Sequence, residues 1–403
     1  MKKMKKVLCL MMTLCLLLAS MSACGTKDTK DNSTDKEDSQ NTSDSADTGA
    51  EFVIGSIGPV TGDNAVYGQS VKNGAELAVK EINANGGING TQIKFLFEDD
   101  EADGEKAVNA YNALKDKGMQ MLMGTVTSGA CASVIEKTNE DKMFQLTPSA
   151  SSTDVLKLGN IFQVCFTDPN QGIASAKYIG EKALAKKIAV IYDSSDIYSS
   201  GIYEKFNEEA KNQNLEIVAA EAFTADSKSD FSVQIQKAKD SGAELVFLPI
   251  YYKEASLILQ QAADLDFKPI FFGCDGLDGI LTVENFDSTL AEGVMLLTPF
   301  SADSTDDITK KFVTSYKDAY KDAPNQFAAD AYDAIYIIKA AVEKAGVTSD
   351  KSVTEIGDAL KAAMTQISYD GLTGTSMTWA QTGEVNKTPR IFKIVSGAYE
   401  LAE

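Results

Sequence analysis

Apolar residues in this chain fall into short blocks separated by amphipathic stretches, and the alternation becomes regular from residue 51 onward. FVIGSIG (52–58) reads as a buried strand. GQSVKNGAELAVKEINANGG (68–87) follows as a helix with an apolar stripe and a glycine stop, then IKFLFED (93–99) as a strand, AVNAYNALKDKG (107–118) as a helix and MQMLMG (119–124) as a strand. The rhythm resumes in KIAVIYD (187–193), EIVAAEAF (216–223), ELVFLPI (244–250) and PIFFGCD (269–275), each followed by a helical run. Strands that are continuously apolar, without in–out alternation, belong to parallel sheets covered on both faces. The pattern predicts doubly wound α/β units, in which ligands bind beyond the carboxyl ends of the strands. At 403 residues the chain exceeds one ordinary core, which predicts two lobes.

Ahead of this pattern, four lysines precede an apolar run over 7–19 that is short for a membrane span of roughly 20 residues, the layout of an export signal. The run leads into Met21-Ser22-Ala23-Cys24, which resembles a bacterial lipobox with Met21 where leucine is more usual. On that reading residues 1–23 are a lipoprotein signal peptide and Cys24 is the lipidated first residue of the mature chain. Residues 24–50 are mostly Thr, Lys, Asp, Asn, Ser and Glu, too polar to offset the entropy of ordering, and predict a disordered tether.

Composition narrows the chemistry. A formal charge of −20, or −24 once the four lysines of 1–23 are removed, argues against a nucleic-acid partner. The chain has no histidine, which removes Ser-His and Cys-His nucleophiles and histidine metal sites. Cys131, Cys165 and Cys274 are widely spaced, show no CxxC pattern and read as buried small hydrophobes. No metal, cofactor or catalytic residue is expected.

The strand end LMGTVTSG (122–129) lacks both the GxxxxGK[ST] spacing of a phosphate loop and the GxGxxG of a dinucleotide site. What remains are hydroxyls and open amides at a helix start. They suit a carboxylate, and equally a plain helix cap by Thr127 and Ser128.

GPVTGDNAVYGQSVKNGAELAVKEINANGGINGTQIKFLFEDDEADGEKAV (58–108) resembles the opening of the type I periplasmic binding proteins of the leucine/isoleucine/valine-binding family, and the similarity extends over 51–403. The resemblance implies two doubly wound α/β lobes joined by a three-segment hinge. Breaks at FTDPNQG (166–172), TPFSADS (298–304) and YDGLTGTS (369–376) offer the crossings. The first lobe is then 51–166 and 300–370, and the second 167–299 and 371–403.

The resemblance also carries ligand-binding roles onto Ser128, and onto Ser149, Ala150 and Ser151 in TPSASSTD (147–154), with Ala150 offering only its backbone. Tyr67 in the first lobe and Tyr198 and Tyr251 in the second match the family's aromatic contacts. Asp275 matches its acidic position for the ligand's ammonium, whereas Asp278 has no counterpart and is expected to be solvated. Hydroxyls facing one acid make a clamp for a zwitterion and reject simple anions on desolvation grounds. The implied protein is a monomeric, lipid-anchored substrate-binding protein on the outer face of a Gram-positive cell membrane. It would capture a free amino acid, neutral or branched-chain, and deliver it to an ABC permease. A ligand sensor for a membrane receptor is the rival binding reading, and a surface hydrolase the rival class.

Overall fold

A computed structural model describes residues 50–402. The signal, Cys24 and all but the last residue of the tether lie outside the described residues. The first half runs β1 Phe52–Gly58, α1 Ala65–Ala84, β2 Ile93–Asp99, α2 Gly104–Asp116, β3 Met121–Gly124, α3 Ser128–Glu140, β4 Phe144–Thr147 and β5 Ile161–Gln163. These strands form a parallel sheet in the order β2-β1-β3-β4-β5. The next elements are α4 Asp168–Glu181, β6 Lys187–Asp193, α5 Ile197–Asn212, β7 Glu216–Phe223, α6 Ser232–Asp240, β8 Leu245–Leu248, α7 Tyr252–Asp264, β9 Ile270–Gly273 and β10 Met295–Thr298. The chain ends with α8 Asp307–Tyr320, α9 Gln326–Ala345, α10 Val353–Met364, β11 Arg390–Val395 and β12 Ala398–Leu401.

The second sheet has seven strands in the order β12-β11-β10-β9-β8-β6-β7. Its body is parallel, but β11 pairs antiparallel with β10 and β12 with β11, an edge that the strand–helix alternation did not predict. Each sheet is doubly wound, and its strand order reverses beside its first strand, between β1 and β3 in one and between β6 and β8 in the other. Loops diverge at such a point and leave a crevice, so the loops after β1, β3, β6 and β8 are where a ligand finds room.

The chain crosses between lobes near 164–168 and 299–303. Helices α8 and α9 then pack on α1 of the first lobe. The third crossing lies later than the sequence reading placed it. Residues beyond 370 stay on the first lobe, where Trp379 Nε1 donates to Gln163 O at 2.8 Å and Gly383 O accepts from the Gln163 amide at 3.0 Å. They cover the open edge of β5, which would otherwise expose unpaired backbone groups. Buried Lys387 fastens the end of this segment. Its ammonium donates to Asp330 Oδ1 at 2.6 Å, Thr373 Oγ1 at 2.7 Å and Val164 O at 3.0 Å, and the crossing follows at about 388–390.

Candidate functional site

The first lobe presents three loops. Tyr67 sits in the first turn of α1, where Gly68 lets the helix close on the preceding loop; a Cβ there would lie 1.9 Å from Pro59 O. Beyond β3, Thr127 occupies the N-cap position of α3 but makes no side-chain capping bond, so the plain cap reading of Thr127 and Ser128 does not hold. The first helical bond runs from the Cys131 amide to Thr127 O, which leaves the amides of Ser128, Gly129 and Ala130 without helical acceptors. Ser128 Oγ accepts the amides of Ser151 and Ser152, each at 3.1 Å. Ser149 Oγ donates to Val126 O at 2.7 Å, so the β3 and β4 loops are laced together. Ser128 makes no donor bond among the described residues, and its hydroxyl hydrogen, polarised by two incoming amides, is free to donate.

The second lobe supplies the opposite wall. Asp196 accepts the Tyr198 amide at 3.1 Å and starts α5, and the rings of Tyr198 and Tyr251 stack at 4.9 Å. Asp275 follows β9. Its Oδ1 accepts from Tyr198 Oη at 2.8 Å, its amide donates to Gln171 Oε1 at 3.1 Å and its carbonyl accepts from Gln326 Nε2 at 2.7 Å. At Gly276 a Cβ would sit 2.6 Å from Tyr198 Oη, so only glycine leaves this hydroxyl its place. Burial pushes the Asp275 carboxyl up to about 7, and the hydrogen bond from Tyr198 pulls it only partly back. Among the described residues no lysine or arginine forms an ion pair with Asp275.

The two walls meet. Tyr67 Oη donates to Gly276 O and accepts the Tyr252 amide at 3.1 Å, while Tyr252 Oη donates to Asp63 O at 2.8 Å. Asp63 also pairs with Lys253 and, at 3.3 Å, with Lys228. These bonds bring the two lobes together over a small chamber with a free volume of about 10 Å3. Six of the residues expected from the sequence line it: Tyr67, Ser128, Ser149, Tyr198, Tyr251 and Asp275. Val126, Thr127, Gly276 and Phe327 complete the lining. Phe327 packs 4.3 Å from the Tyr67 ring centre but comes from α9, and nothing in its local sequence marks it.

One expectation needs correction. Ala150 is not among the lining residues of the chamber: its amide donates to Thr147 Oγ1 at 2.9 Å, its carbonyl accepts from Gln163 Nε2 at 2.7 Å, and its methyl is buried with Cys131, Val155 and Ile161. Asp278 is not solvated. It is 2% exposed, accepts the Gln326 amide at 2.8 Å, and burial pushes it up to about 6. Ser151 is also buried, but behind the chamber wall, beside Asp168. Cys131, Cys165 and Cys274 are free and buried. Among the described residues no group of acids and cysteines is arranged to hold a metal ion, and no helix is long and apolar enough to cross a membrane.

A family-wide sequence profile described as periplasmic binding protein matches residues 51–398. Leu/Ile/Val-binding protein homolog 3 of Brucella melitensis is 30% identical over 344 residues, covering 84% of this chain and 89% of the relative. The leucine-, isoleucine-, valine-, threonine- and alanine-binding protein of Pseudomonas aeruginosa is 30% identical over 300 residues, covering 74% and 79%. Among solved structures, the branched-chain amino acid transporter substrate-binding protein LivJ of Streptococcus pneumoniae, in complex with isoleucine, superposes with a TM-score of 0.80 at 30% identity, covering 88% of this chain and 99% of that one.

Proposed function

The chain belongs to the periplasmic binding protein family, and from that premise we propose that it is an extracytoplasmic substrate-binding protein, not an enzyme, that holds a free α-amino acid as a zwitterion between its lobes. One observation carries the reading. A buried acid without a cation, Asp275, faces a chamber whose other wall is the hydroxyl of Ser128 and the open amides of α3. A helix N-terminus favours a carboxylate, and a buried carboxylate needs a cation, so one ligand bearing both charges satisfies both walls. Tyr67, Tyr198, Tyr251 and Phe327 enclose its side chain, with Ser149 holding the β3 and β4 loops in register. The names of the relatives favour a neutral, branched-chain side chain.

In this reading the first lobe comprises 51–166 and about 300–387, and the second 167–299 and about 388–402. Closure of the second lobe on the first is favoured by the ligand, because a bridging molecule adds contacts to both walls beyond the direct bonds between the lobes. Cys24 carries the lipid anchor and the loaded, monomeric protein delivers its amino acid to an ABC permease of a Gram-positive membrane. Thermal-shift and calorimetric screening of the free amino acids tests the binding reading: at least one neutral amino acid should bind, and failure of all of them overturns it. For the anchor, Cys24→Ala should move the protein from the membrane pellet to the soluble fraction, and retention in the pellet with unchanged mass overturns it.

A further inference from the structure

Beside the chamber lies a second cavity between the lobes, with a free volume of about 220 Å3 against about 10 Å3 in the chamber itself. Thr127 and Tyr251 line both, so a side chain that leaves the chamber finds its room on this side. Three buried side chains on the cavity walls each hold a polar atom without a hydrogen-bond partner among the described residues: Asn64 Oδ1, Thr127 Oγ1 and Glu254 Oε2. The three residues are 9%, 6% and 5% exposed. Asn64 and Thr127 stand at the starts of α1 and α3, where neither makes a side-chain capping bond. Glu254 lies in the first turn of α7, on the opposite lobe. Its Oε1 pairs with Lys228 at 3.5 Å, and Lys228 also reaches Asp63 at 3.3 Å, so the carboxylate is fixed while its other oxygen stays bare. Buried polar groups are ordinarily paired, and three unpaired ones on a single cavity point to an occupant that pairs them.

We propose that this cavity is a distal subsite that reads a primary carboxamide at the end of the ligand's side chain, with Glu254 Oε2 and Asn64 Oδ1 accepting its two N–H groups and Thr127 Oγ1 donating to its carbonyl. A carboxamide carries two donors and an acceptor, the complement of two bare acceptors and a hydroxyl that turns to donate. Other side-chain ends match less of the wall. A hydrocarbon leaves all three groups unpaired. A carboxylate brings no donor and meets Glu254, Asp193 and Asp196, which all line the cavity. An ammonium adds a second cation beside Lys228, whose charge already offsets that of Glu254. The subsite rests on the zwitterion reading and goes beyond it. The ligand class becomes α-amino acids with an amide side chain, in place of the branched side chains that the names of the relatives favour.

The test compares free amino acids of matched shape on wild-type protein by calorimetry: asparagine with leucine, and glutamine with methionine, alongside isoleucine, valine, lysine and glutamate. Asparagine or glutamine should bind at least about tenfold tighter than its apolar counterpart. If no free amino acid binds, the zwitterion reading falls and the subsite with it. If an apolar amino acid binds as tightly as either amide, or lysine or glutamate binds more tightly, the subsite alone is overturned. Thr127→Val keeps the shape of the side chain, removes its hydroxyl and breaks no capping bond. It should cut the ratio of amide to apolar affinity by at least about fivefold, while Asp266→Asn, an exposed control, should leave the ratio as in wild type. Should Thr127→Val not fold, Asn64→Leu removes one of the two acceptors and should cut the same ratio. An unchanged ratio in the variant that folds, or an equal loss for both ligands, overturns the subsite and leaves the zwitterion reading standing.

Discussion

Replacing Asp275 with asparagine separates two effects that the cleft combines. The rise of its carboxyl from 3.8 to about 7 corresponds to about 4 kcal/mol against the charged form in the closed, ligand-free cleft. A ligand ammonium must offset a cost of that size, which agrees with the roughly 3 to 5 kcal/mol lost when one partner of a buried ion pair is removed. Asparagine keeps Oδ1 as acceptor for Tyr198 Oη, so the wall should hold its shape. The variant forfeits the ion pair but also escapes the desolvation cost, and the net loss should be about 1.5 to 3 kcal/mol, on the order of ten- to a hundredfold in affinity. Calorimetry with the amino acid that binds wild type measures this loss. Small-angle scattering of the ligand-free variant should show it at least as compact as wild type, because closure no longer buries a charge. Affinity within about threefold of wild type refutes the counter-ion assignment. Asp278→Asn is no control for this experiment, since Asp278 is itself buried and bonded to Gln326; the exposed Asp266 serves instead.

Three further outcomes are expected. Ser128→Ala strands the buried amides of Ser151 and Ser152, each at a cost of about 1 to 3 kcal/mol, so chemical denaturation should show a loss of at least about 2 kcal/mol together with weaker ligand binding; a change below about 1 kcal/mol counts against this role. Lys387→Met leaves Asp330 buried and unpaired beneath the hinge and should destabilise the fold by about 3 to 5 kcal/mol, and an unchanged denaturation midpoint would remove the pair from the account. Asp275 and Asp278 are raised by burial to about 7 and about 6, so their protonation favours the closed cleft over an open one in which they return toward 3.8. The ligand-free protein should therefore compact as the pH falls from 8 to 5 while the liganded protein stays compact throughout, and a ligand-free radius of gyration that ignores pH contradicts that sign.

Local pattern reveals the strands and the loops that follow them, because a buried parallel strand leaves an apolar block and a ligand loop begins where the block ends. Ser128, Tyr198, Tyr251 and Asp275 all stand at such ends. Phe327 does not: it opens a helix of the first lobe far along the chain and reaches the chamber only through tertiary packing. Asp278 reads as a solvated residue in CDGLDG, and its burial depends on Gln326, which lies 48 residues away. The late third crossing was hidden for the same reason, since the sequence 371–387 is polar and glycine-rich yet covers the edge of β5.

The central claim is that one molecule carrying both an ammonium and a carboxylate bridges the two lobes. Its most direct test is mass spectrometry of the small molecules released on denaturing protein purified without added ligand. The account predicts a free α-amino acid with a primary ammonium, at up to one equivalent per chain. A sugar, a peptide or a simple carboxylate anion in its place would contradict it.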